Sequence, residues 1–219
     1  MKAHEIEIKR QKLFLDPLKA IYWEEKSTLI FSDLHFGKAA HFRKNGIPIP
    51  FNIHERDLKN INHLFNVYSP KKIIIVGDLF HSVWNSEWNS FESFLENHHD
   101  TEFILVKGNH DILDEGSYKT YIKCVDNYES GPFFFSHQPC EGIHELYNIS
   151  GHIHPSITIS GRAKQSVKFE CFYFSENFAV LPSFGNFTGN YKISAKFGDK
   201  IYLIVNEQVI VFKPSIYSN

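Results

Sequence analysis

Five short stretches of this chain carry side chains able to hold metal ions: Ser32-Asp33-Leu34-His35, Gly77-Asp78, Gly108-Asn109-His110-Asp111, Ser136-His137 and Gly151-His152-Ile153-His154. The donors are imidazole, carboxylate and amide oxygen, with no thiolate among them. Such a mixed set suits Mn, Fe, Zn or Ni better than the all-oxygen cages of Ca and Mg. Asp33, His35, Asp78, Asn109, His137, His152 and His154 are seven groups, more than one ion needs. They suit two divalent ions sharing a carboxylate, a geometry that clamps the attacking and leaving oxygens of phosphoryl transfer and lowers the pKa of a bound water. Asp33 and His35, like His152 and His154, stand two residues apart, so locally extended backbone would send each pair to one side. Taken singly, a Gly-Asp is a turn and a lone histidine a satisfied core residue. Five such stretches in series are not explained that way.

The elements that must position these groups are legible as apolar runs bounded by breakers. Leu13–Leu15, Ala20–Trp23, Thr28–Phe31, Lys72–Val76, Glu102–Val106, Pro132–Phe135, Val167–Phe174, Phe178–Leu181, Lys200–Val205 and Gln208–Phe212 read as strands. Asn52–Tyr68 and Asn85–His98 carry apolar residues at helical spacing and read as helices. Each ligand stretch follows an apolar run, and loops at the carboxyl ends of parallel strands are where α/β sheets collect ligands. The first half alternates strand and helix. From about Ile122 the chain is mostly strands, with a polar turn region at Glu141–Leu146, which completes one α/β sandwich over residues 1–219.

Composition limits the partners. A formal charge of −2 gives no global attraction to a polyanion, so any nucleic-acid contact must come from a local patch. Lys38, His41, Arg43 and Lys44 form the nearest such patch; Arg43, with two donors for one phosphate, is the expected substrate contact, and Lys38 and Lys44 are read as solvated. No apolar run is long enough for a membrane span, and Met1–Leu15 lacks the apolar core of a secretion signal. With three scattered cysteines, this fits a reducing cytoplasm: Cys124 and Cys171 read as small buried hydrophobes, while Cys140, close to His137, is left open. Trp23, Trp84, Trp88 and Phe133–Phe135 are expected in the core.

The ordered motifs Asp-x-His, Gly-Asp, Gly-Asn-His-Asp, His and Gly-His-x-His, from Ser32 to Pro155, resemble the calcineurin-like metallophosphoesterase superfamily. The resemblance implies a four-layer α/β/β/α sandwich. It also implies that Asp33, His35 and His154 bind one metal, that Asp78 bridges, and that Asn109, His137 and His152 bind the second. His110 would touch the scissile phosphate. Ser32 to Pro50, Gly77-Asp78-Leu79-Phe80-His81-Ser82, Leu181-Pro182-Ser183-Phe184-Gly185 and Thr188-Gly189 are more specifically similar to the bacterial ligase-associated DNA damage response phosphoesterases, the PdeM family. That likeness implies a DNA endonuclease, with Mn as the expected metal, in a repair system with a DNA ligase, a helicase and an exonuclease. His81 would face the metals or the DNA. His110, oriented by Asp111, would stabilise charge on a phosphoryl oxygen or protonate the leaving oxygen. The same metals would also serve a phosphodiesterase or phosphatase for nucleotides and other small esters. A non-catalytic scaffold is the reading from another class, and the completeness of the ligand set weighs against it.

Overall fold

Apolar runs of the first half pair edge to edge in the order in which the chain supplies them. The computed structural model describes residues 2–44, 46–48, 53–80, 87–111, 120–140, 145–161, 165–186 and 188–213. Among the described residues the first sheet has seven strands: β1 (His4–Ile8), β2 (Gln11–Asp16), β3 (Ala20–Trp23), β4 (Thr28–Phe31), β5 (Lys72–Val76), β6 (Glu102–Val106) and β7 (Ile122–Val125). The pairs from β1 to β4 are antiparallel, and those from β4 to β7 are parallel. Parallel neighbours need crossovers. Helices α1 (Lys38–Lys44) and α2 (Ile53–Tyr68) lie between β4 and β5, and α3 (Glu87–Asn97) lies between β5 and β6.

Among the described residues the second sheet has nine strands: β8 (Tyr128–Ser130), β9 (Phe133–Phe135), β10 (Tyr147–Ser150), β11 (Pro155–Ser160), β12 (Ser166–Phe174), β13 (Phe178–Val180), β14 (Tyr191–Lys192), β15 (Lys200–Val205) and β16 (Gln208–Phe212). Its order is β14-β11-β12-β13-β10-β9-β8, with β15 on β12 and β16 on β15. Strands β9, β10 and β13 run parallel to one another.

Strand alternation divides the core. Leu29, Phe31, Ile73, Ile75, Phe103 and Leu105 face one way and pack with Ile61 and Leu64 of α2 and Trp88, Phe91, Phe94 and Leu95 of α3. Ile30, Ile74, Val76, Ile104 and Val106 face the other way and meet Phe133, Phe135, Ile149, Phe172 and Phe174 of the second sheet. Strands β4 to β6 are therefore covered on both faces, which is why they are nearly continuous apolar runs in the sequence. Each fully buried Ile, Leu or Phe contributes roughly 1.5–3 kcal/mol. The outer face of the second sheet has its own smaller cluster, with Ile157, Cys171, Tyr173 and Ile201 covered in part by Ile193 and Ala195.

The mixed two-sheet sandwich with helices outside is as expected from sequence. Among the described residues both long helices lie on the first sheet. Strands β1, β7, β8, β10, β11 and β14 and helix α1 are not among the elements read from the sequence. β1 is a strict alternation of exposed glutamates with half-buried His4, Ile6 and Ile8, and β14 has only two residues, so neither contains an apolar run. Trp23, Trp88, Phe133 and Phe135 are buried as expected, and Trp84 lies outside the described residues. Cys171 is fully buried, Cys124 half-buried and Cys140 exposed. No helix among the described residues is long and apolar enough to cross a membrane.

Candidate metal centre

Five ligand-bearing segments leave their strands at one end of the sandwich. Hydrogen bonding between β4 and β5 continues past both strands: Asp33 N donates to Gly77 O (3.0 Å), His35 N to Asp78 O (2.9 Å) and Phe36 N to Leu79 O (2.8 Å). In the second sheet Gly151 N donates to His137 O (3.0 Å). The sheets are joined where His152 N donates to both Asp33 carboxylate oxygens (3.2 and 3.0 Å). Asp33, His35, Asp78, His152 and His154 all have left-handed backbone, with φ between 49 and 67°. This differs from the extended conformation expected for the two i, i+2 pairs. Asp and His tolerate this region better than most residues, and local strain of order 1 kcal/mol or more per residue is held by the surrounding bonds.

The glycines that precede these ligands leave room for ligands of the neighbouring motif. A Cβ on Gly77, itself at φ +81°, would occupy the space of the His137 ring. A Cβ on Gly151 would collide with the Asp33 carboxylate. The Gly-Asp and Gly-His dipeptides are thus a packing requirement between motifs as well as turns.

Side chains then converge. Asp33, His35 and His154 form one group whose ligand atoms all lie within 4.8 Å of one another, and Asp33, Asp78 and His137 form a second. Asp78 Oδ2 stands 3.8 Å from His35 Nε2 and 3.5 Å from His137 Nε2. His154 Nε2 is 3.2 Å from Asp33 Oδ1, and His152 Nδ1 is 3.1 Å from His137 Nε2. The His110 ring lies 5.4 Å from that of His35, centroid to centroid.

The hydrogen bonds behind the histidines show what the centre requires. Carbonyl oxygens only accept, so His154 Nδ1 donates to Gly189 O (2.8 Å) and His137 Nδ1 to Val76 O (3.4 Å). With those protons on Nδ1, each Nε2 turns a lone pair toward a carboxylate oxygen, and acceptor faces acceptor unless a cation lies between them. The buried His154 Nε2 accordingly makes no hydrogen bond of good geometry. Asp33 and Asp78 are both buried, and two adjacent buried carboxylates without cations are strongly unfavourable. The donor set therefore fits divalent metal ions, with backbone carbonyls fixing the imidazole orientation. Burial alone would lower the His154 pKa, but the Asp33 carboxylate and Gly189 carbonyl outweigh it and raise it. Burial and the neighbouring His137 lower that of His152.

Around this cluster stand the other residues expected from sequence. Gly108 and His110 both touch Asp78: a Cβ on Gly108 would meet its carboxylate, and His110 N donates to Asp78 Oδ1 (2.9 Å). Asn109, between them, is exposed, as is the His110 side chain. The Asp111 carboxylate accepts from Gly108 N (2.8 Å) and Phe80 N (3.1 Å), bracing the loop that carries His110 against the loop after β5. Burial raises the Asp111 pKa to about 6 despite these bonds. Arg43 is half-buried in α1, and His81 lies outside the described residues.

Two features were not anticipated. Lys38, read as solvated, is half-buried; burial lowers its pKa, while Asp78 acts on it in the opposite direction, so its ammonium senses the Asp78 carboxylate. Its position three residues after His35 was the available signal. The second feature is the segment from Ser183 to Gly189. Ser183 Oγ (2.8 Å) and Gly185 N (3.2 Å) both donate to Asp33 O, Gly189 O holds His154, and Asn186 donates through backbone and side chain to buried Asp57 of α2.

A family model for calcineurin-like phosphoesterases matches residues 26–211. The nuclease MPE of Pseudomonas putida is similar in structure, with a TM-score of 0.82 and 26% identity over 96% of this chain and 100% of that one. Two further solved structures are more distant. AQ665 of Aquifex aeolicus, a protein of unknown function, has a TM-score of 0.43 and 21% identity over 58% of this chain and 78% of its own. The phosphoesterase Yfce of E. coli has a TM-score of 0.39 and 13% identity over 84% of this chain and 96% of its own. No curated protein matches the sequence. The family match runs from β4 through the second sheet and spans every ligand-bearing segment, and the chain belongs to the calcineurin-like phosphoesterases.

Proposed function

We propose that the chain is a two-metal phosphodiesterase that cuts DNA internally, with Mn as its metal. The observation that carries the two-metal reading is that Asp33 belongs to both ligand groups while Asp78 Oδ2 stands between His35 and His137. Likeness over nearly the whole chain to a nuclease supports the substrate. Asp33, His35 and His154 would hold one ion, Asn109, His137 and His152 the other, and Asp78 would bridge. Bound divalent ions would supply charge neutralisation at phosphorus and a lowered pKa for the attacking water.

The protein's own groups account for the rest. In hydrolysis the water oxygen forms a bond to phosphorus, the bond from phosphorus to the leaving sugar oxygen breaks, and that oxygen needs a proton. His110 is exposed at the cluster, with its backbone tied to Asp78 and its loop braced by Asp111, which supports a role in protonating the leaving oxygen or stabilising a phosphoryl oxygen. Arg43 and His81 are assigned to flanking phosphates, and Lys38 joins them because it is held close enough to sense Asp78. By its sequence likeness the enzyme would act in the cytoplasm beside a DNA ligase, a helicase and an exonuclease.

The test is to offer Mn-loaded protein circular single-stranded DNA, linear duplex and bis-p-nitrophenyl phosphate side by side. Nicking of the circle is the expected result. Hydrolysis of the aryl diester without any cleavage of DNA at low salt would move the assignment to a phosphodiesterase for small esters.

A further inference from the structure

The ring of His154 is oriented by a carbonyl that none of the ligand motifs supplies. His154 Nδ1 donates to Gly189 O (2.8 Å), and Gly189 ends a segment that first runs along the loop carrying Asp33. Phe184 N donates to Ser32 O (2.9 Å), Ser183 Oγ to Asp33 O (2.8 Å) and Gly185 N to that same oxygen (3.2 Å). This ladder stops at Gly185, four residues short of the carbonyl. Thr188 Oγ1 closes the turn on Gly185 O (3.0 Å), but a short irregular stretch keeps one carbonyl direction only where side chains offset its conformational entropy.

Two carboxylates from different layers supply that hold. Asp57 projects from α2, is 4% exposed, and its Oδ1 accepts from both Asn186 N (3.2 Å) and Asn186 Nδ2. A buried carboxyl is costly unless its acceptors are used, and here both bonds go to one residue of the segment. Glu170 of β12 takes the other end. With its amide nitrogen turned toward the acceptors around it, Asn190 Nδ2 donates to Gly189 O and to Glu170 Oε1, 3.3 Å each. Glu170 is itself held by Lys19, in the turn between β2 and β3, whose Nζ lies 2.9 Å from Oε1 and 2.7 Å from Oε2. Lys168 Nζ donates to Asn190 O (2.6 Å). Gly189 O thus lies between Asn186, tied to the helix layer of the first sheet, and Asn190, tied to the second sheet.

We infer that Asp57 and Glu170 are positioning residues for the ion that Asp33, His35 and His154 would hold. They act through Asn186 and Asn190 on Gly189 O, and through that carbonyl on the rotation and tautomer of the His154 imidazole. This rests on the two-metal reading of the site. The other ligand set has separate support: His137 Nδ1 donates to Val76 O (3.4 Å), at the end of β5, a bond that involves neither carboxylate. The clamp therefore tunes one ion and spares its neighbour.

Titration calorimetry of Mn into metal-free protein counts the ions and gives each affinity without reference to hydrolysis. Asp57→Ala and Glu170→Ala should each weaken one of two ions about 10–100-fold, the usual effect of removing support behind a ligating histidine, and leave the other unchanged. Asp57→Asn should restore binding, because an amide oxygen still accepts from Asn186. His154→Ala should lose the same ion, and adding Asp57→Ala to it should change the affinity of the remaining ion by less than about twofold. Thermal melts of the metal-free proteins report folding; should Asp57→Ala not fold, Glu170→Ala, at a partly exposed position, carries the same expectation. Unchanged affinities in the variants, or equal losses of both ions, overturn the clamp and leave the two-metal reading standing. A parent that binds a single ion overturns the two-metal reading, and the clamp then stands or falls on whether that ion is weakened in the variants. A parent that binds no Mn overturns both.

Discussion

At the residue scale the proposed two-metal centre turns on which carboxylate would bridge. Asp78 faces His35 and His137, yet Asp33 is also shared between the two ligand groups, so one substitution tests the assignment. Asp78→Asn removes one negative charge from the bridging position and should lower metal content and hydrolysis together, by a factor on the order of 10–100 in affinity. Metal analysis showing two ions per chain with full activity would transfer the bridge to Asp33. His110 is tied to Asp78 through its backbone N–H, which any residue at this position supplies. His110→Ala should keep both metals and lose hydrolysis by a factor of about 10²–10⁴. Loss of an ion in that variant would make His110 a ligand.

At the element scale the Ser183–Gly189 segment links α2 to Asp33 and His154, and Asp57 is its anchor. Burial raises the Asp57 pKa from 3.8 to about 6, against the opposing effects of its bonds to Asn186 and the charges of Lys19 and Arg56. A carboxyl whose pKa is raised on folding favours the native state in its protonated form. Its contribution is therefore lost as pH rises from the unfolded value through the folded one. Relative to Asp57→Asn, the parent should lose about 2–3 kcal/mol of unfolding free energy between pH 4 and pH 7 and nothing further above it. Urea unfolding of the two proteins across this range measures the difference. A difference independent of pH would mean that Asp57 ionises as easily in the fold as in the unfolded chain. The ligand pairs belong to this scale too. Left-handed backbone at five ligands is imposed by the ladder bonds past β4 and β5 and by contacts between motifs, so a local reading of i, i+2 spacing as extended strand does not find it.

At the scale of the whole molecule, the floor of the site is also the core. Phe36 and Phe80, each close behind a ligand motif, are bridged backbone to backbone and pack on Phe91 of α3, with ring centroids 5.5 and 6.3 Å away. Phe91→Ala should cost about 3–5 kcal/mol and lower Tm on the order of 10 °C in a chain of this size. A thermal melt within a degree or two of the parent would show that the helix layer is not what holds these loops. The types of candidate ligand, their order along the chain and the apolar runs before them are legible before any fold is known, because strand burial on both faces and metal chemistry each restrict residue identity position by position. So is the class of chemistry, since a mixed nitrogen and oxygen set of this size has few uses. It takes the fold to show that Asp33 is shared by both ligand groups, that Gly77 and Gly151 make room for side chains of other motifs, and that Lys38 is partly buried within reach of the Asp78 charge. The reason is that these are relations between segments as much as 150 residues apart, such as Ser183 Oγ on Asp33 O, and nothing in either segment's own composition encodes its partner across the two sheets.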